Sequence, residues 1–257
     1  MTEGSPTLAR QGALATLTLR RPAQRNSLND DDLNTLLAYI DQLNQDTSVQ
    51  VVVVRANTEG QTQPVFSAGY HVGGFDNDPM APLFFEKIPQ ALEQLRAITV
   101  CVLNGSVHGG ATDMVLACDF RIGLSGMHWR MPACALGLHY YPSGLRRYVS
   151  RFGLNASKRA FLLGESLSFE RLHSWGVLDD LVQAHELEAA VQRITTPLLT
   201  MAPLALRSTK QSLNEIAAGL YAEPVLRERS RASVHTDDFA EGRAAFAQRR
   251  PPVFKGQ

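Results

Sequence analysis

The sequence predicts an α/β fold with a helical C-terminal region. Three observations predict it. Short apolar runs bounded by turn residues, Val51 to Val54 and Val100 to Leu103, suit strands buried on both faces. Between such runs lie segments of helical spacing, such as Leu33, Leu36, Leu37, Ile40 and Leu43. The last third of the 257 residues reads as helix throughout, which leaves the strands to the first two-thirds.

A chain of this length suits one large core, or a core with a smaller appendage. Apolar residues make up 44% and charged residues 19%, the ordinary balance of a globular rather than a disordered chain. Lys+Arg and Asp+Glu number 25 each, so the electrostatic footprint of a general nucleic-acid binder is missing. No apolar run reaches ~18 residues, and Met1 to Ser5 lacks a basic, apolar signal pattern, so no membrane partner is expected. Cys101, Cys118 and Cys134 have no metal-like spacing and read as reduced core residues of a cytoplasmic protein.

In chain order, alternating Leu14, Leu17 and Leu19 mark a first strand over Ala13–Leu19, ended by Arg20-Arg21-Pro22. Asn26-Ser27-Leu28-Asn29 supplies turn and cap chemistry, and Asp30, Asp31 and Asp32 suit the start of the next helix. A strand at Val51–Val54 and a strand end at Val65-Phe66 precede the tight Ser67-Ala68-Gly69-Tyr70-His71. Gly73, Gly74, Pro79 and Pro82 mark a mobile surface loop of the kind that often covers a site. A helix over Phe84–Ile98 follows, with Pro89 kinking or restarting it.

The stretch from Thr99 to Gly123 organises the rest. Its strand leads through Asn104-Gly105-Ser106-Val107-His108-Gly109-Gly110-Ala111 into a short apolar helix, and Phe120-Arg121-Ile122 forms a further strand. A helix start leaves backbone N–H groups without partners at the positive end of the dipole. Two adjacent glycines let a substrate approach that backbone closely. Such a place can hold an oxyanion, whereas the spacings of a P-loop and of a dinucleotide site are missing.

Beyond it, Pro132–Gly144 is rich in Gly, Pro and Tyr and reads as a functional loop. Ser143 is expected to cap a helix with Leu145, Tyr148, Val149 and Phe152 on one face and Gly153 at its end. Helices follow over Asn155–Leu163, from Ser168 to Trp175, Leu187–Ile194, Pro203–Ile216, Pro224–Val234 and Phe239–Phe246, with a strand at Leu178–Val182.

Several of these segments, in this order, resemble the crotonase superfamily, the enoyl-CoA hydratase/isomerase fold. They are Arg21-Pro22 with Asn26-Ser27-Leu28-Asn29, Phe66-Ser67-Ala68-Gly69-Tyr70, and Asn104-Gly105 through Gly109-Gly110-Ala111-Thr112-Asp113. Later landmarks are Leu163-Gly164-Glu165-Ser166-Leu167-Ser168, Gly176-Val177-Leu178-Asp179, Glu241-Gly242 with Phe246, and Arg250-Pro251 to Gly256. The resemblance implies a spiral of ββα units. It implies a core over 1–195 holding an acyl-CoA site, and a C-terminal region over 196–257 that joins subunits into a trimer or a dimer of trimers. Coenzyme A then enters as part of the substrate, with no separate cofactor and no metal. The backbone N–H groups of Tyr70 and Gly110 would hold a thioester oxygen as it becomes an enolate, and the Tyr70 ring would line the acyl pocket or its entrance. Arg25, Ser27, Ser67, Ala68, Phe246 and Lys255 would lie along the coenzyme.

The resemblance also ranks the catalytic side chains. Asp113 stands where many members carry a catalytic Glu, one methylene longer; the plainer reading of an Asp here is a helix-dipole partner. Hydratases of the family carry a second Glu directly after the proline of Pro-Glu-x-x-x-Gly. Pro132-Ala133-Cys134-Ala135-Leu136-Gly137 puts Ala133 there, so water addition by two glutamates loses a partner. Leu136-Gly137-Leu138-His139-Tyr140 resembles a loop of methylmalonyl-CoA decarboxylase, which makes Tyr140 a group that orients a carboxylate and His139 a proton donor. Aromatic packing is the plainer reading of that pair. His108, two residues before Gly110, and His71, after Tyr70, are further candidates. Three readings follow: enolate chemistry of the hydratase/isomerase kind assisted by Asp113, decarboxylation through Tyr140 and His139, or a CoA-binding protein without catalysis.

Overall fold

The computed structural model describes residues 3–71 and 81–257, and the loop expected around Gly73, Gly74 and Pro79 lies outside them. Its strands are β1 (Gly4–Gln11), β2 (Leu14–Arg20), β3 (Val51–Ala56), β4 (Val65–Ser67), β5 (Ile98–Leu103), β6 (Ser106–His108), β7 (Phe120–Leu124), β8 (His128–Arg130), β9 (Leu167–Ser168) and β10 (Asp180–Val182). Its helices are α1 (Asp30–Gln45), α2 (Ala81–Gln94), α3 (Ala111–Ala117), α4 (Pro142–Phe152), α5 (Leu154–Leu162), α6 (Phe169–Ser174), α7 (Leu187–Leu199), α8 (Pro203–Ala217), α9 (Glu223–Ser233) and α10 (Asp237–Gln248).

Strands β3, β5 and β7 run parallel in a six-stranded sheet of order β1-β2-β3-β5-β7-β10, and β4, β6 and β8 run parallel in a four-stranded sheet ending in β9. The chain therefore visits the large sheet, the small sheet and a helix in turn: β3-β4-α2, β5-β6-α3, β7-β8-α4. This is the expected spiral of ββα units. It explains the continuous apolar runs. Val52, Val54 and Cys101 face the main core with Leu17, whereas Val51, Val53, Val100 and Val102 face a second cluster with Ala190 and Val191 of α7. Both faces of these strands are covered, so no polar alternation survives.

Local chemistry sets the ends. Asn29 caps α1 by accepting from Asp32 N–H, and the Asp32 carboxylate returns the bond to the Asn29 N–H. Ser168 caps α6, and Gly153 (φ +75°) ends α4. Other expectations are corrected. Ser143 does not cap α4, which starts at Pro142 with Tyr141 at the cap position. The buried face of α4 is Gly144, Arg147, Tyr148 and Phe152, while Val149 is exposed, so the face is rotated from the one expected. An arginine joined the apolar stripe because its charge is matched inside. Helix α2 runs on through Pro89. Strand β1 was not expected; it is a half-exposed edge strand with little hydrophobic signal. Cys101 and Cys118 are buried, but Cys134 is exposed rather than a core residue.

Candidate active site

The ends of β4 and β6 are parallel neighbours, so the loops leaving them abut. Bonds to the first motif hold the β4 loop. Ser67 Oγ donates to Asn26 O (2.7 Å) and accepts from Gly69 N–H (3.1 Å), while Ala68 N–H donates to Arg25 O and His71 N–H to Leu28 O, each at 2.9 Å. Gly69 (φ +92°) must be glycine on two grounds. A Cβ there would stand 2.8 Å from His108 O and 3.1 Å from Gly110 N. In the β6 loop, Gly109 N–H donates to Arg130 O (2.9 Å), and Thr112 fixes the Gly109 carbonyl through its hydroxyl (2.6 Å). Among the described residues, the Gly110 N–H meets no acceptor.

Both loops border a cavity of about 470 Å³ whose wall includes Ala68, Tyr70, Phe85, His108 and Gly110 on one side. Ala133, Leu138, His139, Tyr140 and Tyr141 line it as well. The structure thus brings Tyr70, His108, Gly110, His139 and Tyr140, with Ala68, to one cavity. The Tyr70 ring lies 5.9 Å from Phe85, and its hydroxyl donates to Asp30 at the start of α1. Burial and the nearby charges of Arg25 and Arg130 push His108 down to about 4, so its imidazole is neutral at pH 7. His139 is exposed at the rim, and His71 is exposed outside the wall.

Asp113 is placed differently from expectation. It is fully buried behind the wall and is not part of it. Arg147 Nε donates to Oδ1 (2.7 Å) and Nη2 to Oδ2 (2.6 Å), and the Tyr141 hydroxyl donates to Oδ2 (2.8 Å). Arg147 also reaches Glu93 (3.1 Å) and Ser143 Oγ (3.1 Å). Tyr140 in turn donates to the Tyr141 oxygen (2.7 Å), and the two rings stack with centroids 4.1 Å apart. Gly144 makes the stack possible: a Cβ there would lie 2.3 Å from Tyr140 Cε1. Burial and the Asp113 charge push both tyrosine hydroxyls well above their usual range, so both keep their protons.

The residues expected along the coenzyme divide. Ala68 lines the cavity, and Arg25 is exposed beside the first motif with a left-handed backbone (φ 54°). Ser27 is half-buried in the same segment. The Ser67 side chain is fully buried and acts as a brace between loops, not a surface contact. Phe246, 89% exposed, borders a separate cavity of about 600 Å³ among α8, α9 and α10, and Lys255 is exposed in the same C-terminal region. Arg147 and Tyr141 were missed as site residues. The one sequence signal for Arg147 was a charge on the helical stripe Gly144, Tyr148 and Phe152.

The family model described as enoyl-CoA hydratase/isomerase matches residues 9–257. The chain belongs to this family. The 2,3-dehydroadipyl-CoA hydratase of Escherichia coli (strain K12) is 29% identical over 97% of this chain and 98% of its own length. The 1,2-epoxyphenylacetyl-CoA isomerase of the same organism is 26% identical over 95% of each chain. A crystal structure described as an enoyl-CoA hydratase/carnithine racemase from Magnetospirillum magneticum superimposes with a TM-score of 0.90 at 23% identity, covering 100% of this chain and 97% of its own, which shows the fold. As an enoyl-CoA hydratase/isomerase family member, the protein is an enzyme acting on CoA thioesters. No described helix is long and apolar enough to cross a membrane, and no described group of His, Cys, Asp and Glu forms a metal site.

Proposed function

We propose that the enzyme holds the carbonyl of an acyl-CoA thioester against the backbone N–H groups of Tyr70 and Gly110 and stabilises the enolate formed there. The observation that carries this reading is the meeting of the two loops at the cavity, where a Cβ on Gly69 would stand 3.1 Å from the Gly110 nitrogen. Preorganised N–H donors aimed at developing charge are each worth roughly 2.7–4 kcal/mol.

Among the described residues, no Asp or Glu lines the cavity, and Ala133 occupies the place of the second acid. That weighs against water addition by two carboxylates. A proton shift fits better. The neutral His108, beside Gly109 and Gly110, takes the proton as the α C–H bond of a 3-enoyl thioester, or the γ C–H bond of a 2-enoyl thioester, breaks, and the bonding pair becomes the conjugated enolate. Return of the proton to the other carbon moves the double bond. Asp113, held by Arg147 behind the wall, serves as a support rather than as the base.

One observation favours a second reading. A wall without carboxylates suits loss of carbon dioxide from a 2-carboxyacyl-CoA, which leaves its bonding pair as the enolate and needs no base. His139 at the rim then supplies the proton that quenches the enolate and is reprotonated from solvent. For the coenzyme, Arg25 and Ala68 support a path along the first motif. Assembly into a trimer or hexamer through 196–257 is supported by exposed Leu213, Ile216, Leu220 and Val225, and native mass spectrometry tests it.

The deciding test is mass spectrometry of crotonyl-CoA, a 3-enoyl-CoA and methylmalonyl-CoA incubated in heavy water. Deuterium uptake with a shifted double bond is the expected result. Loss of carbon dioxide alone establishes the second reading, and binding of all three thioesters without exchange or turnover would overturn both readings.

A further inference from the structure

We propose that Arg147, acting through Asp113 and Tyr141, makes the Tyr140 hydroxyl a hydrogen-bond acceptor only, so that the cavity favours acyl groups bearing a hydroxyl over acyl groups bearing a carboxylate. The inference rests on the acyl-CoA enolate reading and adds the acyl selectivity. A count of protons carries it. Arg147 places two N–H donors on the Asp113 carboxylate in bidentate geometry, so both of its oxygens serve as acceptors. The 2.8 Å contact between Tyr141 Oη and Asp113 Oδ2 therefore contains the single Tyr141 proton. The 2.7 Å contact between the two tyrosine oxygens must then contain the single Tyr140 proton. No proton is left on Tyr140 for a ligand.

Tyr140 lines the cavity, so a ligand group that reaches its oxygen meets lone pairs. A hydroxyl satisfies them. A carboxylate is repelled, or must pull the proton from the Tyr141 bond and leave that buried oxygen without a donor. The rings cannot turn away easily, because Tyr140 is held between Tyr141 and Phe161 (centroids at 4.1 and 5.5 Å). This polarity ranks the proton-shift reading above decarboxylation. Arg147 is a positioning residue here: it touches no ligand and acts by setting the direction of the chain.

The experiment compares dissociation constants of butyryl-CoA, 3- and 4-hydroxybutyryl-CoA and succinyl-CoA by calorimetry. In wild type, one of the hydroxyacyl thioesters should bind about 3- to 10-fold more tightly than butyryl-CoA, and succinyl-CoA more weakly than butyryl-CoA. Tyr141→Phe returns the Tyr140 proton to the cavity and should reverse the order of the hydroxyacyl and succinyl thioesters; Tyr140→Phe should abolish the preference. Equal wild-type affinities, or succinyl-CoA binding best, would overturn the inference without use of any variant. An unchanged order in folded Tyr141→Phe would overturn it as well. Deuterium exchange of butyryl-CoA in the same samples keeps the two readings apart: exchange without hydroxyl preference sinks the selectivity alone, and failure to bind any thioester sinks both.

Discussion

Arg147 holds Asp113 by both carboxylate oxygens, Nε to Oδ1 at 2.7 Å and Nη2 to Oδ2 at 2.6 Å, with both side chains buried. The pair joins α4 to the first turn of α3, directly after the Gly109-Gly110 loop. Removing one partner leaves a buried charge uncompensated. Arg147→Met is expected to cost ~3–5 kcal/mol in urea unfolding, and adding Asp113→Leu should recover much of that loss, since an apolar pair carries no desolvation penalty.

Gly144 sits where α4 passes the stacked tyrosines, and a Cβ there would come 2.3 Å from Tyr140 and 2.7 Å from Tyr141. Gly144→Ala should therefore displace both rings, cost ~1–3 kcal/mol of stability and weaken acyl-CoA binding. Chemical denaturation and calorimetry read the two effects separately.

At Gly110 the obstacle is a side chain rather than backbone. A Cβ would lie 2.7 Å from the Phe85 ring. Gly110→Ala is expected to lower kcat/KM for thioester exchange by tilting the loop, and Phe85→Leu in the same chain should restore part of the rate by making room. If Phe85→Leu gave no rescue, the steric account would fail.

His108 supplies a pH signature. Its imidazole titrates near 4 because burial and the nearby arginine charges disfavour the cation. If His108 takes the substrate proton, kcat/KM for deuterium exchange should stay level as pH falls from neutrality and then drop with a midpoint near 4. His108→Gln should reduce the rate by ~100-fold or more at pH 7, with little change in thioester affinity.

The same histidine links pH to stability. Its folded pKa lies below the unfolded value of 6.5, so between pH 6.5 and about 4 the unfolded chain binds the proton and the folded one does not. Stability should therefore fall as pH drops through that window, and the group contributes nothing above it. His108→Leu should remove this part of the slope, as measured by urea unfolding at a series of pH values.

The sequence carried much of the fold because its strongest signals are physical. Val51 to Val54 and Val100 to Leu103 are apolar at every position since both faces of β3 and β5 are covered. Asn29 and Ser168 start helices through bonds their own side chains make, and Gly153 ends one by adopting a positive φ. Weak signals failed: β1 is a half-exposed edge strand, and β8 and β9 are too short for a period to show. The loops of the site were legible too, because glycines at 69, 109 and 110 and the motifs around them are local features.

What the sequence determined by itself, then, is the family, the order of the units, the two glycine-bearing loops around Gly69 and Gly110, and the missing acid at Ala133. Each motif is written in residues close together in the chain, whereas the meeting of the two loops comes from the parallel pairing of β4 with β6. Tertiary structure alone decided that Asp113 lies behind the cavity wall rather than in it. Its partner Arg147 is 34 positions away, and Arg146 beside it is an equally charged candidate. Which of the two turns inward depends on how α4 rotates against α3, and side-chain volume on both helices sets that rotation. The direction of the tyrosine chain follows from the same contact, since a proton's place in a hydrogen bond is settled only once both partners are within reach.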